Sequence, residues 1–315
     1  MVDHRQEHRQ RSAAWIEHFA RRGHPAARPL AAGVEGVVYR LDEDLVAKVW
    51  SGRPPADLDL TRRVYADLAA RPLPFATPEI LDVEEHEGVV VSYERALGGS
   101  PLRRDSAVEA PPRRLPPEET DALLTVLRGL ATVPGTDAMR RLGVQGDDRP
   151  LWQGHSRFPD ALAALVERAA ARHADLLAAH VPGLADTVRR VVGALRALPD
   201  TPVTVVHGDL VPPNVHVDAA GRPVAVLDFG FFTTAGDPAF EAAVAAAVWD
   251  MYGPHAEEHV AALTRLFADR LHHPPERLAL YQAAYALTTY DLFASDGSDG
   301  HFRWCAALLN RGGTS

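Results

Sequence analysis

The chain has 315 residues, 46% apolar and 24% charged, with a formal net charge of −9. That length allows one large domain or two ordinary ones, with a sizeable core. The acidic balance, and the lack of a basic stripe with interleaved aromatics, argue against a nucleic-acid partner and mildly favour cationic ones. The first fifteen residues, MVDHRQEHRQRSAAW, hold no apolar signal core. The richest apolar run, FEAAVAAAVW, is too short for a membrane span and contains Glu241. One cysteine, Cys305, lies in an apolar helical run and reads as a core residue. A single cysteine forms no internal disulfide, so the expectation is a cytoplasmic protein without a membrane partner.

Residues 11–23 carry Trp15, Ile16 and Phe19 at helical spacing. The period then changes. VVYRL and LVAKVW are β-rich runs separated by a tight turn at Asp42-Glu43-Asp44, and the Gly33–Gly36 segment breaks the chain just before them. Residues 57–70 return to helical spacing, with Leu60, Val64 and Leu68 on one face. EILDVEE and GVVVSYER read as two further strands joined near His86-Glu87-Gly88. Gly98-Gly99 follows, and the lobe boundary is placed there: a small mixed lobe over 1–97, a larger one over 98–315. Residues 101–117, rich in Pro and Arg, read as an irregular connection. EETDALLTVLRGLATV and the Ala/Leu-rich stretch from Pro159 to Leu198 predict helices. A β patch interrupts them: VTVVH, then VHV, the turn DAAG, and VAVLDFG. The tail from Pro238 is helical again, broken at His272-His273-Pro274-Pro275. No internal repeat is visible.

Two compositional oddities point at chemistry. Of 33 basic residues, 32 are Arg and one is Lys, at Lys48. Only two asparagines occur, Asn214 and Asn310. Arg is a wide planar fork and Lys a compact point charge, so a position that keeps Lys calls for a small cation in a tight space. Asn214 lies in HGDLVPPN, five residues after Asp209 and fourteen before Asp228. A hairpin of that length returns the chain to its start and sets Asp228 beside Asn214. Carboxylate and amide oxygens converging there suit a hard cation bound with a phosphate, such as magnesium. Phosphoryl transfer to a hydroxyl uses these parts: one Asp for the acceptor proton, an Asn and a second Asp for the metal ions, and a separate Lys for the phosphates.

The order Gly33–Gly36, Lys48, His207-Gly208-Asp209, Asn214, Asp228-Phe229-Gly230 and Gly236-Asp237-Pro238 resembles the aminoglycoside phosphotransferase family. This is the bacterial small-molecule branch of the protein-kinase-like fold. The resemblance implies an α+β, two-lobed fold: a small lobe with an antiparallel sheet and a larger, mainly helical lobe. It implies ATP or GTP and Mg2+ as cofactors, a hydroxylated small-molecule substrate, and Asp209 as catalytic base. Asn214 and Asp228 would hold metal. Gly33, Gly36 and Lys48 would serve the phosphates, and the hinge backbone at Glu94 and Ala96 the nucleobase. His207 would be structural, and Asp237 reads as a helix N-cap before Pro238 that buttresses the loop. The implied acceptor is an aminoglycoside or related antibiotic, with possible antibiotic resistance as the role. The alternative is a metabolite: an amino alcohol, a homoserine-like compound or a sugar. Monomer and homodimer both stay open.

Three departures stand out. The family pairs its lysine with an acid on the first small-lobe helix, where Thr61 or Arg62 falls here; Asp57 and Asp59 are nearby candidates. Pro213 replaces a usual Gly before the metal Asn, and Glu241 replaces the Asp usual after Gly-Asp-Pro. Acidic and aromatic residues of the helical part, Asp250, Tyr281, Tyr285, Tyr290, Asp291, Asp296 and Asp299, would build a pocket for a polyamine sugar, or else serve as a solvated face with core tyrosines. Two other classes compete. One is a catalytically silent kinase-like binding module, favoured by the missing acid partner. The other is a metallohydrolase using His207 and Asp209 at i and i+2 with His216 nearby.

Overall fold

The β-rich runs fold as strands of an antiparallel sheet, and period 2 decides what each face does. The structure, a computed structural model, describes residues 2–33, 35–52, 54–103, 112–147, 149–294 and 296–311, with side chains from Ser12 onward. Its contacts divide the chain into two units, Met1–Ala70 with Ala76–Gly98, and Arg71–Phe75 with Gly99–Ser315. Arg71–Phe75 falls with the second unit because the Phe75 ring lies against Gly129, where a Cβ would sit 2.8 Å from it.

The first unit contains α1 (Val2–Arg21), β1 (Arg28–Gly33), β2 (Gly36–Arg40), β3 (Leu45–Trp50), α2 (Pro55–Ala69), β4 (Ile80–His86) and β5 (Val89–Arg95). The sheet order is β1-β2-β3-β5-β4, and every neighbouring pair is antiparallel. Tyr39, Ala47, Val49, Val91 and Tyr93 form one core with Phe19 of α1. Trp50 packs instead with Leu58 of α2 and with Val90. Each large apolar side chain buried this way contributes about 1.5–3 kcal/mol. Lys48 alternates with Ala47 and Val49, so it leaves the face that α1 covers. Glu84 fastens α1: it takes hydrogen bonds from Tyr93 Oη at 2.7 Å and His18 Nε2 at 2.9 Å, and pairs with Arg22 at 2.8 Å.

Strand β1 has no counterpart among the expected elements. All six of its residues are exposed, so RPLAAG shows no apolar alternation. Backbone pairing with β2 makes it a strand, with a register irregularity between Pro29 and Ala31. An edge position tolerates the missing N–H of Pro29.

The second unit begins with β6 (Ser100–Pro101), α3 (Pro117–Leu130), α4 (Asp137–Arg141), α5 (Phe158–Arg172), α6 (Ala174–Ala178) and α7 (Leu184–Arg196). Then come β7 (Thr204–Val206), a short 3₁₀ turn over Pro212–Asn214, β8 (Val215–Val217), β9 (Pro223–Val226) and β10 (Thr234–Gly236). It ends with α8 (Pro238–Val248), α9 (Ala256–Leu271), α10 (Pro275–Thr289) and α11 (Gly300–Arg311). The helical stretch expected from Pro159 to Leu198 is three helices, broken at His173 and at Gly183, which takes a left-handed φ of 68°. Within the expected connection 101–117, residues 104–111 lie outside the described residues. Two small sheets, β6-β8-β9 and β10-β7, carry the Asp209–Asp228 segment. Behind it runs α8, apolar apart from Glu241 and buried from Ala239 to Val248, as a helix through the middle of a domain must be. No helix among the described residues is long and apolar enough to cross a membrane.

Candidate active site

The sole lysine is held by the glycine turn. Lys48 Nζ lies 2.7 Å from Glu35 Oε2 and 3.9 Å from the centroid of the Trp50 ring. Backbone geometry delivers Glu35 there. Ser51 N–H donates to the Glu35 carbonyl at 2.8 Å. Gly36 approaches β3 so closely that a Cβ would meet the Val49 carbonyl oxygen at 2.0 Å, at a φ of 152°. Gly36 is therefore obligatory; Gly33 has open space around it. The expected acid on the first helix is replaced by this turn carboxylate. Thr61 is buried and donates to the Asp57 carbonyl, Arg62 donates to the Leu81 carbonyl, and Asp57 and Asp59 are exposed. Sequence spacing searched the helix because the lysine's partner is usually sought there; Glu35, thirteen residues upstream, was missed.

At the end of β5, Glu94 accepts a hydrogen bond from Ser92 Oγ at 2.6 Å, and Ser92 Oγ accepts one from Trp50 Nε1 at 2.8 Å. The Ala96 N–H donates to the Asp44 carbonyl at 2.8 Å, and the Arg95 N–H to the Glu79 carbonyl at 3.0 Å. Both amides are thus already paired with backbone carbonyls.

The segment around Asp209 is built from backbone clamps. His207 Nε2 lies 2.7 Å from the Leu227 carbonyl, and the Asp209 N–H donates to His207 Nδ1 at 3.2 Å. A carbonyl only accepts, so Nε2 carries the proton and Nδ1 is the acceptor. Burial pushes the imidazole down to about 4, which keeps it neutral. Both ring nitrogens are committed to backbone, so His207 is no metal ligand. The Asp209 carbonyl accepts from Asn214 Nδ2 at 2.9 Å and from the Val211 N–H. Asp209 therefore has its backbone fixed at both ends. The Leu227 N–H donates to the Asn214 carbonyl at 2.9 Å, which closes the hairpin and brings Asp228 next to Asn214. Asp228 leaves the strand at a left-handed φ of 64°, a conformation that costs about 1 kcal/mol or more in a non-glycine residue.

Glu241 and Asp237 support this turn from α8. Glu241 is buried, and its Oε2 accepts from the Gly208 N–H at 3.0 Å. Burial pushes its carboxyl up to about 7, opposed by hydrogen bonds from the Gly208 and His207 backbone. Gly208 has a φ of 77°, and a Cβ there would lie 2.7 Å from the Phe232 carbonyl oxygen. Asp237 caps α8 through the Ala239 N–H at 2.8 Å and accepts from Tyr281 Oη at 2.9 Å. The other acidic and aromatic candidates serve internal contacts. Asp250 meets His259 Nδ1 at 2.6 Å, and Asp291 pairs with Arg172. Tyr285 Oη reaches the Gly208 carbonyl at 3.5 Å, and Tyr290 Oη donates to the Ala169 carbonyl. Asp296 and Asp299 accept from the Ser298 and Phe302 N–H groups.

The Asn214 amide nitrogen is committed to Asp209, so its oxygen is the atom left to face a cation. Together with the Asp228 carboxylate this is an all-oxygen donor set that fits magnesium. Among the described residues no cluster of three or more His, Cys, Asp or Glu is arranged to hold a metal ion.

A small antiparallel-sheet unit carrying one lysine, and a helical unit carrying an Asp–Asn–Asp turn, define a protein-kinase-like phosphotransferase fold. The model of the phosphotransferase enzyme family (APH) matches residues 26–281, and the chain belongs to that family. A solved structure of a thermostable mutant of aminoglycoside phosphotransferase APH(4)-Ia, in a ternary complex with ADP and hygromycin B, is 21% identical. The match covers 96% of this chain and 99% of that one, with a TM-score of 0.63. Macrolide 2'-phosphotransferase MphH from Brachybacterium faecium is 21% identical over 94% and 98% of the two chains, with a TM-score of 0.57. The GDP and kanamycin complex of APH(2")-IIia is 16% identical over 92% and 94%, with a TM-score of 0.61. No curated protein is significantly similar in sequence.

Proposed function

We propose that this chain transfers the γ-phosphoryl group of ATP or GTP to a hydroxyl of a small molecule, with an antibiotic as the leading acceptor class. The carrying observation is the double clamp on Asp209, by His207 at its N–H and Asn214 at its carbonyl. It fixes the backbone from which the Asp209 carboxylate projects, which favours the steady placement a general base requires. In the proposed reaction the acceptor oxygen attacks the γ-phosphorus and its proton passes to the Asp209 carboxylate. The bond from the γ-phosphorus to the bridging oxygen breaks, and the nucleoside diphosphate leaves with that electron pair. Asn214 and Asp228 would hold Mg2+, which supplies charge neutralisation at the phosphates. Lys48 places a point charge on the phosphates, and Gly36 lets the turn backbone approach them. Since the Ala96 N–H is used by Asp44, its carbonyl is the group it would offer a nucleobase.

A silent binding module drew its support from a lysine without an acid partner. Glu35 supplies that partner, which favours a working enzyme. The test is acceptor-dependent nucleotide consumption across hydroxylated antibiotics, amino sugars and amino alcohols. Asp209→Asn should abolish consumption while Mg–nucleotide binding survives. Tight nucleotide binding with no acceptor turned over would sink the proposal.

A further inference from the structure

The segment after Asp228 runs beside the catalytic turn. Thr233 Oγ1 donates to the His207 carbonyl at 3.0 Å, and a Cβ on Gly208 would lie 2.5 Å from Phe232 Cβ. Phe231 is thus one residue from backbone that abuts the residue before Asp209. Its ring lies parallel to Phe293, with 12° between planes and 6.3 Å between centroids. Phe293 meets His301 at 5.1 Å, and His301 lies 5.4 Å from Trp304. Tyr252 Oη is 3.4 Å from His301 Nδ1. Trp304 in turn lies 6.3 Å from Tyr285, whose hydroxyl reaches Gly208. A path of rings therefore leads from the surface to the peptide preceding Asp209.

Two of these rings open to solvent: Phe293 is 49% and Tyr252 52% exposed. Among the described residues the exposed large hydrophobics are Leu30, Leu81, Tyr252 and Phe293, and both aromatic ones stand on this ledge. Exposed apolar rings gathered beside a reactive turn mark a contact surface rather than unfinished core. The imidazole within the ledge is neutral near neutral pH, because burial pushes His301 down to about 4 against the opposing pull of Asp299. Two of the nearby acids are turned inward, Asp250 to His259 and Asp291 to Arg172. Asp296 stays at the surface, with Oδ1 accepting from Ser298.

We propose that Phe231, Phe293 and Tyr252 form the acceptor platform, and that it selects hydroxylated molecules presenting an apolar ring face over polycationic ones. This rests on the phosphotransfer reading above. Stacking against Phe293 would hold the acceptor's ring while its hydroxyl reaches Asp209.

The test uses the full chain with Mg–ATP and Mg–GTP. The acceptors are two hydroxylated macrolide lactones, erythromycin and tylosin, and the polycation kanamycin. A macrolide should be turned over with a kcat/KM about tenfold or more above that for kanamycin. Phe293→Ala and Tyr252→Ser should each raise the macrolide KM roughly tenfold, the size of a lost aromatic contact. The Mg–nucleotide Kd should stay within about twofold. Preference for kanamycin, or a macrolide KM unmoved by both substitutions, overturns the proposal. Both side chains are exposed, so the variants should fold, and thermal unfolding checks this. If the wild type consumes nucleotide with none of these acceptors, the phosphotransfer reading fails for them, and the ledge is read by binding alone. Saturation-transfer NMR signal from either macrolide, lost in Phe293→Ala, then supports the platform; no signal overturns it.

Discussion

The two units hold their key charges in opposite ways. In the first, Lys48 is steered by a partly exposed side-chain ion pair: the lysine side chain is 14% exposed and Glu35 28%. In the second, Asp209 is steered through its backbone by neutral hydrogen bonds: its N–H donates to His207 and its carbonyl accepts from Asn214. A flexible lysine on a strand can follow a phosphate. A base must not move, since a displacement of about 1 Å can cost two orders of magnitude in rate. The difference fits the roles proposed for Lys48 and Asp209.

The comparison breaks first at the base. Asp209→Asn should lower kcat about 10³-fold or more, read as acceptor-dependent nucleotide consumption, with Mg–nucleotide binding retained. Lys48→Arg should come next, at roughly 10²-fold in kcat/KM, because the guanidinium fork does not fit where the ammonium meets Glu35 and the Trp50 face. An arginine variant with wild-type kinetics would dismiss the point-charge explanation.

Glu241 sharpens the buried side through pH. Its folded value lies above the usual carboxylate range. Its contribution to stability is therefore complete in acid and lost as pH rises through about 7. Denaturant unfolding of Glu241→Gln at pH 5 and pH 8 should lack that loss, a difference on the order of 2 kcal/mol from wild type. His207 runs the other way: its folded value is depressed, so its contribution is present above the usual histidine range and lost as pH falls towards about 4. Comparing Glu241→Gln with wild type cancels the His207 share, which both proteins keep. Equal pH dependence in wild type and Glu241→Gln would show that Glu241 does not titrate there.

The smallest effect tests the ion pair. Glu35→Gln should lower kcat roughly tenfold, with little change in acceptor KM, by letting Lys48 wander. Because Lys48 is the only lysine, ¹⁵N-lysine labelling gives one ammonium resonance, which the substitution should move. An unmoved resonance and unchanged kcat would make the pair incidental.

Much of this was legible from residue types and spacing. Phosphotransfer chemistry needs Lys, Asp, Asn and Asp in a fixed order, and a composition that avoids Lys and Asn made Lys48 and Asn214 conspicuous. The strands β2 to β5 and the breaks at Gly98 and His272-Pro275 carry local signals of period and turn chemistry. Strand β1 carried none, because an edge strand exposed on both faces is made by its neighbour's hydrogen bonds. The choice between an acidic pocket and a solvated face was not legible for a related reason. A carboxylate looks the same in sequence whether it faces a ligand or an arginine, and Asp291 faces Arg172 from 119 residues away.

By itself, the sequence determined the reaction class, since the order and identity of the reacting groups are local properties of the chain. The tertiary structure alone decided three things: which carboxylate meets Lys48, which proton His207 carries, and where Phe231 and Phe293 stack. Each is settled by a contact between segments distant in sequence or by the backbone approach at Gly36, and chain spacing does not encode those distances.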